Sequence, residues 1–361
     1  MSNSDLISRT GLTLPRRLTG KILPKRNLKW LMIPVLAVAL TFTLSWAVLM
    51  SAPASALERV ERSVRVNGME RDYTLYMPRT SVDDGRKHPV LFVYHPGGAQ
   101  ASFMEDNAPF YTTPGAEDYV VIYPEGISRT FNAGVCCGAA LEKGIDDVAF
   151  FKAMMADIGQ VVAIRDQAFV TGFSNGAMMN YRLICEVPQL IAAAVPFAGA
   201  VPMENCVTGK PVPILHLNGG ADTQSLYGGQ RSNPSKFKKT SSTLTPPLEA
   251  LAAVAGRNSC SLEVVPARSL PAMDADCERF AGCPTSAPVL LCVIPELGHA
   301  WPGTGGDQGL GGQTKKRPKI LERLGRKKDS DAGGAERADR FGPYRPELDA
   351  TGSIIAFFNR F

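Results

Sequence analysis

The chain has 361 residues, with 39 basic and 34 acidic side chains and a formal net charge of +5. Seven of the bases (Arg9, Arg16, Arg17, Lys21, Lys25, Arg26 and Lys29) but only one acid, Asp5, fall within residues 1–56, a local charge of +6 that leaves the rest near −1. The basic balance therefore belongs to the leader and gives no nucleic-acid footprint, while the remaining ~300 residues suffice for one large core.

The leader comes first in chain order. After the basic stretch stands W-L-M-I-P-V-L-A-V-A-L-T-F-T-L-S-W-A-V-L-M, then S-A-P-A-S-A. A charged segment, an apolar segment and an A-x-A site describe a secretory signal peptide cut near Ala56. The apolar run of about 20 residues is also long enough for an uncleaved anchor. Pro34 and the A-S-A ending favour cleavage, which places residues 57–361 in a secreted, extracellular or periplasmic setting. All eight cysteines (Cys136, Cys137, Cys185, Cys206, Cys260, Cys277, Cys283, Cys292) follow the leader. An even number in an exported chain reads as disulfides. With no C-x-x-C pair and only four histidines, no metal or cofactor is expected. The vicinal pair Cys136-Cys137 is expected to bond to different partners.

R-S-V-R-V and R-D-Y-T-L-Y-M alternate like antiparallel edge strands, joined by the hairpin turn Asn67-Gly68. P-V-L-F-V-Y, Y-V-V-I-Y, Q-A-F-V-T, A-A-A-V-P-F and V-P-I-L-H-L are compact apolar runs, the pattern of strands covered on both faces. Between them D-D-V-A-F-F-K-A-M-M-A-D-I, opened by an Asp cap, and N-G-A-M-M-N-Y-R-L-I-C have helical spacing. Further helices are predicted from Pro246-Pro247 and after Asp349. This alternation predicts an α/β fold, a doubly wound, mostly parallel sheet with helices on both faces and ligands at the carboxyl ends of its strands. Residues 57–361 then form one domain, with a basic loop insertion at about 304–340. Lys315 to Arg340 carries ten bases and five acids; it reads as a solvated loop, or as a patch for an anionic wall polymer or membrane surface.

The chemistry centres on V-T-G-F-S-N-G-A-M-M. In G-x-S-x-G a serine, here Ser174, occupies a tight strand-to-helix turn with its Oγ above the sheet, and Gly172 and Gly176 keep the crowded corner open. The fold that uses this turn orders its triad Ser, Asp or Glu, His. His88 and His95 precede Ser174, and His216 lies inside a strand, where a structural role is expected. His299, in E-L-G-H-A-W-P-G, follows a strand and is the candidate base. Asp222, in L-N-G-G-A-D-T, is the candidate orienting acid, with Asp274, Asp276 and Glu296 as competitors. Oxyanion donors are expected from the Asn175 N–H and from Y-H-P-G-G-A-Q, where Pro96 has none and Gly97 or Gly98 must serve. Trp301 either stacks on a substrate ring or packs its own loop.

These motifs, with R-S-V-R-V-N-G-M-E-R-D-Y-T-L-Y-M-P, F-N-A-G-V-C-C-G before D-D-V-A-F, and F-G-P-Y-R-P-E-L-D-A-T, resemble the polyhydroxybutyrate depolymerase / feruloyl esterase family. The resemblance covers most of residues 60–303 and resumes near 341. It implies a secreted α/β-hydrolase fold of the carbohydrate-esterase type, with Ser174 as nucleophile, Asp222 as orienting acid and His299 as base. The implied substrate is a carboxylic ester, either a feruloyl ester of plant cell-wall polysaccharide or a polyhydroxybutyrate-type oligoester. The C-C-G cysteines and the N-S-C and A-G-C cysteines are similar to its disulfide positions, with Cys260–Cys283 the one pairing expected. Two departures stand out: Pro96 where the family has glycine, and Phe131 where it has tryptophan. An acyltransferase using the same triad, and a non-catalytic wall-binding protein on the same fold, are the other readings.

Overall fold

The computed structural model describes residues 57–78, 85–201, 203, 206, 209–224, 245–303 and 342–361. The expected signal peptide and the basic segment Lys315–Arg340 lie outside the described residues.

The first element is the hairpin of β1 (Leu57–Val66) and β2 (Met69–Pro78), paired antiparallel from Leu57↔Pro78 to Val66↔Met69. Its turn residues Asn67 and Gly68 both take positive φ, 49° and 83°. That conformation matches the strand twist and is cheap only for such residues. Next come β3 (His88–Tyr94), β4 (Val120–Pro124), β5 (Ile164–Phe173), β6 (Ile191–Phe197), β7 (Ile214–Gly219), β8 (Val264–Pro266), β9 (Asp276–Phe280) and β10 (Val289–Ile294). They form one sheet in the order β1-β2-β4-β3-β5-β6-β7-β10-β9-β8. From β4 to β10 the neighbours run parallel, and antiparallel pairs close both ends.

The apolar runs are buried on both sides because helices cover both. Along β3, Val90, Phe92 and Tyr94 join one core cluster while Leu91 and Val93 join the other. The first core takes side chains from α3 (Asp147–Ile158), α4 (Asn175–Glu186) and α5 (Pro247–Arg257). The second takes them from α1 (Ala101–Asn107) and α6 (Ala350–Phe358); the short α2 spans Gly138–Glu142. Helix starts follow the residues that cap them: Asp146 accepts from the Ala149 N–H at 2.8 Å, and Asp349 from the Gly352 N–H at 2.9 Å. Each such cap is worth roughly 1 kcal/mol. A doubly wound sheet with a serine turn at the end of β5 is the α/β-hydrolase fold.

The chain between α5 and β10 holds two strands, β8 and β9, that its composition does not announce. Both are short, β9 is polar, and disulfides flank them or tie them down. Cys277 of β9 bonds Cys292, directly opposite on β10, and Cys260 bonds Cys283. Cys185, at the end of α4, bonds Cys206. Cys136 and Cys137 bond each other rather than different partners, which corrects the sequence expectation. The reason is placement: the other six sulfurs pair among themselves across α4, α5 and the β9–β10 edge, leaving the C-C-G turn only its own two.

Candidate active site

In the strand order, β3 has β4 on one side and β5 on the other. Connections that leave in opposite directions open a crevice at the carboxyl ends of such strands, and the chain brings four loops there. The loop after β5 is a single residue. Ser174 has φ 54° and ψ −114°, between the last residue of β5 and the first of α4. For a non-glycine side chain that conformation costs about 1–3 kcal/mol and persists only where its surroundings enforce it. The surroundings are cramped. A Cβ on Gly172 would lie 2.7 Å from the Gly176 backbone, and one on Gly176 would lie 2.2 Å from the Tyr94 carbonyl oxygen of β3. The two glycines let α4 start jammed against the sheet, and the serine is pushed outward.

The loops after β7 and β10 are zipped together. Gly220 N–H donates to the Ile294 carbonyl at 2.8 Å, and Ala221 N–H to the Leu297 carbonyl at 2.9 Å. That registry sets Asp222 beside His299. His299 Nδ1 is 2.7 Å from Asp222 Oδ2, and its Nε2 is 2.9 Å from Ser174 Oγ. The second Asp222 oxygen accepts the Gln224 N–H at 2.7 Å. Asp222 is 1 % exposed and His299 5 %, and the His299 ring lies 4.9 Å from that of Phe173. Three residues spread over 125 positions of sequence thus share one hydrogen-bonded line. The competing acids are elsewhere: Asp274 and Glu296 both face Arg345, at 3.1 and 3.9 Å, and Asp276 is exposed on β9.

The loop after β3 supplies backbone donors. Asn175 opens α4, so its N–H has no carbonyl one turn earlier to receive it. Gly97 lies against it, since a Cβ built there would sit 3.5 Å from Asn175 Cβ. Gly98 does not share that freedom, a correction to the sequence expectation. Its N–H donates to the Arg129 carbonyl at 2.8 Å, so it is already committed. The Gly97 N–H has no backbone acceptor among the described residues.

His95 explains how this turn is held. Its ring is fully buried, with Nδ1 2.9 Å from the Pro96 carbonyl oxygen and Nε2 accepting the Gly126 N–H at 2.9 Å. Those partners require the neutral ring protonated at Nδ1, and burial lowers its pKa to about 4. His216 is likewise buried, 2.9 Å from the Tyr181 hydroxyl, with burial lowering its pKa to about 4. Each ring is engaged elsewhere, and the ring nitrogen at Ser174 Oγ is that of His299.

Trp301 is not available to substrate, contrary to the substrate-stacking alternative. It is 1 % exposed and packs on Phe197 and Phe173, with ring centroids 5.4 and 6.4 Å apart. The loop that carries His299 turns this side chain inward and is anchored by it. Sequence reasoning also missed Gly199, where a Cβ would lie 2.3 Å from the Ser174 carbonyl oxygen. An apolar strand followed by A-G-A was its only signal.

No family model matches the chain. It is similar to feruloyl esterase B of Piromyces equi, 28 % identical over 222 residues that cover 59 % of this chain and 39 % of that protein. It is also similar to the putative esterase NocK of Nocardia uniformis subsp. tsuyamanensis, 27 % identical over 266 residues, 70 % of this chain and 76 % of that one. Among solved structures, the acetyl xylan esterase from Aspergillus awamori matches with a TM-score of 0.45 and 15 % identity, over 65 % of this chain and 92 % of that one. The chain thus spans well under half of the Piromyces relative.

Proposed function

We propose that this protein is an exported serine esterase acting on acyl esters of plant cell-wall polysaccharide, feruloyl esters first among them. The observation that carries the reading is the line Asp222–His299–Ser174, with contacts of 2.7 and 2.9 Å. His299 Nε2 takes the proton of Ser174 Oγ as that oxygen bonds to the ester carbonyl carbon. The carbonyl electrons move onto oxygen, and the oxyanion sits on the N–H groups of Asn175 and Gly97; removing one such donor costs about 3–4 kcal/mol of barrier. The tetrahedral intermediate then breaks its bond to the alcohol oxygen, which leaves with the proton from His299. Water repeats the sequence with His299 as base, releasing the acid and restoring the serine. Asp222 holds the imidazole in the tautomer that offers Nε2 to the serine and stabilises the imidazolium as it forms.

The names of the relatives, feruloyl esterases and an acetylxylan esterase/xylanase, support an aromatic or acetyl ester over a hydroxybutyrate oligoester. Four disulfides among the described residues fit an oxidising compartment, in keeping with a leader removed near Ala56. Ser174→Ala tests the reaction: turnover of p-nitrophenyl acetate is expected to fall by at least ~10⁴-fold with the fold intact. Undiminished turnover would falsify the triad. Rates on methyl ferulate, acetylated xylan and hydroxybutyrate trimers test the substrate, with the highest kcat/KM expected on ferulate. Preference for the trimer overturns the wall-ester assignment.

A further inference from the structure

Asn175 follows the nucleophile, and the proposed reaction uses only its backbone. Its side chain is nevertheless buried, at 2 % exposure, and fully engaged. Oδ1 accepts the Phe131 N–H at 2.8 Å, and Nδ2 donates to the Phe131 carbonyl at 2.9 Å. Both polar groups of one peptide residue are thus gripped by one amide, which sets the side-chain torsions and, with them, the first turn of α4.

Phe131 makes a sound anchor because its neighbours hold it from three other directions. The Asn132 N–H donates to Asp147 Oδ2 at 2.7 Å, and Asp147 is paired with the buried Arg71 at 2.7 Å. The Asn132 side chain donates to the Ile145 carbonyl at 2.9 Å, and Arg182 of α4 donates to the Asn132 carbonyl. The Phe131 ring packs on Tyr94 and His95, with centroids 5.1 and 4.5 Å away. Those are the two residues that lead into the Pro96–Gly97 turn. The segment Thr130–Gly138 therefore touches both halves of the oxyanion site, its peptide gripping Asn175 and its ring backing His95.

From this we infer that the Asn175 side chain is a positioning group for transition-state stabilisation: by clamping the Phe131 peptide it sets the aim of its own N–H relative to that of Gly97. The inference rests on the esterase reading. A donor is useful only when it points at the developing oxyanion, and small misplacements are costly. Removing the amide leaves the backbone N–H in place but frees the first turn of α4 to rotate. The loss should then fall on kcat, since ground-state binding of a small ester does not use this donor strongly.

The test compares Asn175→Ala and Asn175→Asp with Leu183→Ala, a buried core residue farther along the same helix. Functional sites are first counted by fluorophosphonate labelling of Ser174. If the parent enzyme is not labelled and does not hydrolyse esters, the esterase reading fails, and this inference goes with it. With labelling established, Asn175→Ala is expected to lower kcat per labelled site by about 10- to 100-fold, with KM for p-nitrophenyl acetate within twofold. Asn175→Asp keeps the acceptor for the Phe131 N–H and loses the donor, so its kcat should fall between those of Ala and the parent. Leu183→Ala should lower the melting temperature while leaving kcat per labelled site within twofold. Parent-like kcat in the Asn175 variants, with only the melting temperature reduced, overturns the inference. If the alanine variant does not fold, the aspartate variant decides alone, and full activity in it overturns the positioning role.

Discussion

Two carboxylates lie equally deep in this molecule, Asp147 and Asp222, each 1 % exposed and each 2.7 Å from a basic partner. Their surroundings differ in kind. Asp147 faces the Arg71 guanidinium, itself 1 % exposed and stacked 4.0 Å from the centroid of the Phe150 ring, and accepts the Asn132 N–H on its other oxygen. A guanidinium and a backbone amide do not give up their protons near neutral pH, so this pair ties β2, α3 and the Phe131 segment together permanently. Asp222 faces the His299 imidazole, whose far ring nitrogen meets the Ser174 hydroxyl. Depth does not make a carboxylate catalytic. The chemistry of its partner, and what lies beyond that partner, separates a brace from a relay.

The comparison is broken most severely at the relay. Asp222→Asn keeps the shape but favours the wrong His299 tautomer, so kcat for p-nitrophenyl acetate should fall by about 10⁴-fold while the urea midpoint moves little. A loss under tenfold would reduce Asp222 to a turn residue. The matching change at the brace, Asp147→Ala, leaves Arg71 buried without its anion. It should cost about 3–5 kcal/mol in equilibrium unfolding, with a much smaller drop in kcat per labelled site. Equal stability would mean that the Arg71 pair holds nothing. Trp301→Ala opens a cavity against Phe197 and Phe173 and should cost a similar ~3–5 kcal/mol. Its KM for methyl ferulate should stay within twofold, because the indole does not face the cleft.

The smallest effect concerns the imidazoles that are not part of the relay. Burial lowers the His216 and His95 pKa values from 6.5 to about 4. The folded state therefore resists protonation that the unfolded chain accepts. Their stabilising contribution is complete above pH 6.5, the unfolded value, and is lost progressively as pH falls toward 4. The urea midpoint should fall across that window, and His216→Gln should flatten part of the slope. An unchanged slope would mean that His216 titrates alike in both states.

Local physics made much of this legible in advance. Asn67-Gly68 declared its hairpin because few residues tolerate two consecutive positive φ angles. Asp146 and Asp349 declared their helix starts because a short acceptor satisfies first-turn donors. Uninterrupted apolar runs announced strands covered on both faces, and G-F-S-N-G could be read as a cramped strand-to-helix corner. Other features depend on partners that no local pattern names. Gly97 and Gly98 look alike in sequence, yet the Gly98 N–H is committed to the Arg129 carbonyl while the Gly97 N–H has no backbone acceptor among the described residues. Trp301 stands two residues from His299, yet its loop turns it inward onto β6. The vicinal cysteines bond each other because every other sulfur finds a partner elsewhere.

By itself the sequence determined the alternation of strands and helices, the serine corner and the chain order of Ser174, Asp222 and His299, because each follows from residue size, polarity or backbone freedom over a few positions. The tertiary structure decided the strand order, the 2.7 and 2.9 Å contacts that join Asp222, His299 and Ser174, and the grip of Asn175 on Phe131. Those depend on which distant backbone groups meet, and long-range pairing is settled by packing the whole sheet at once.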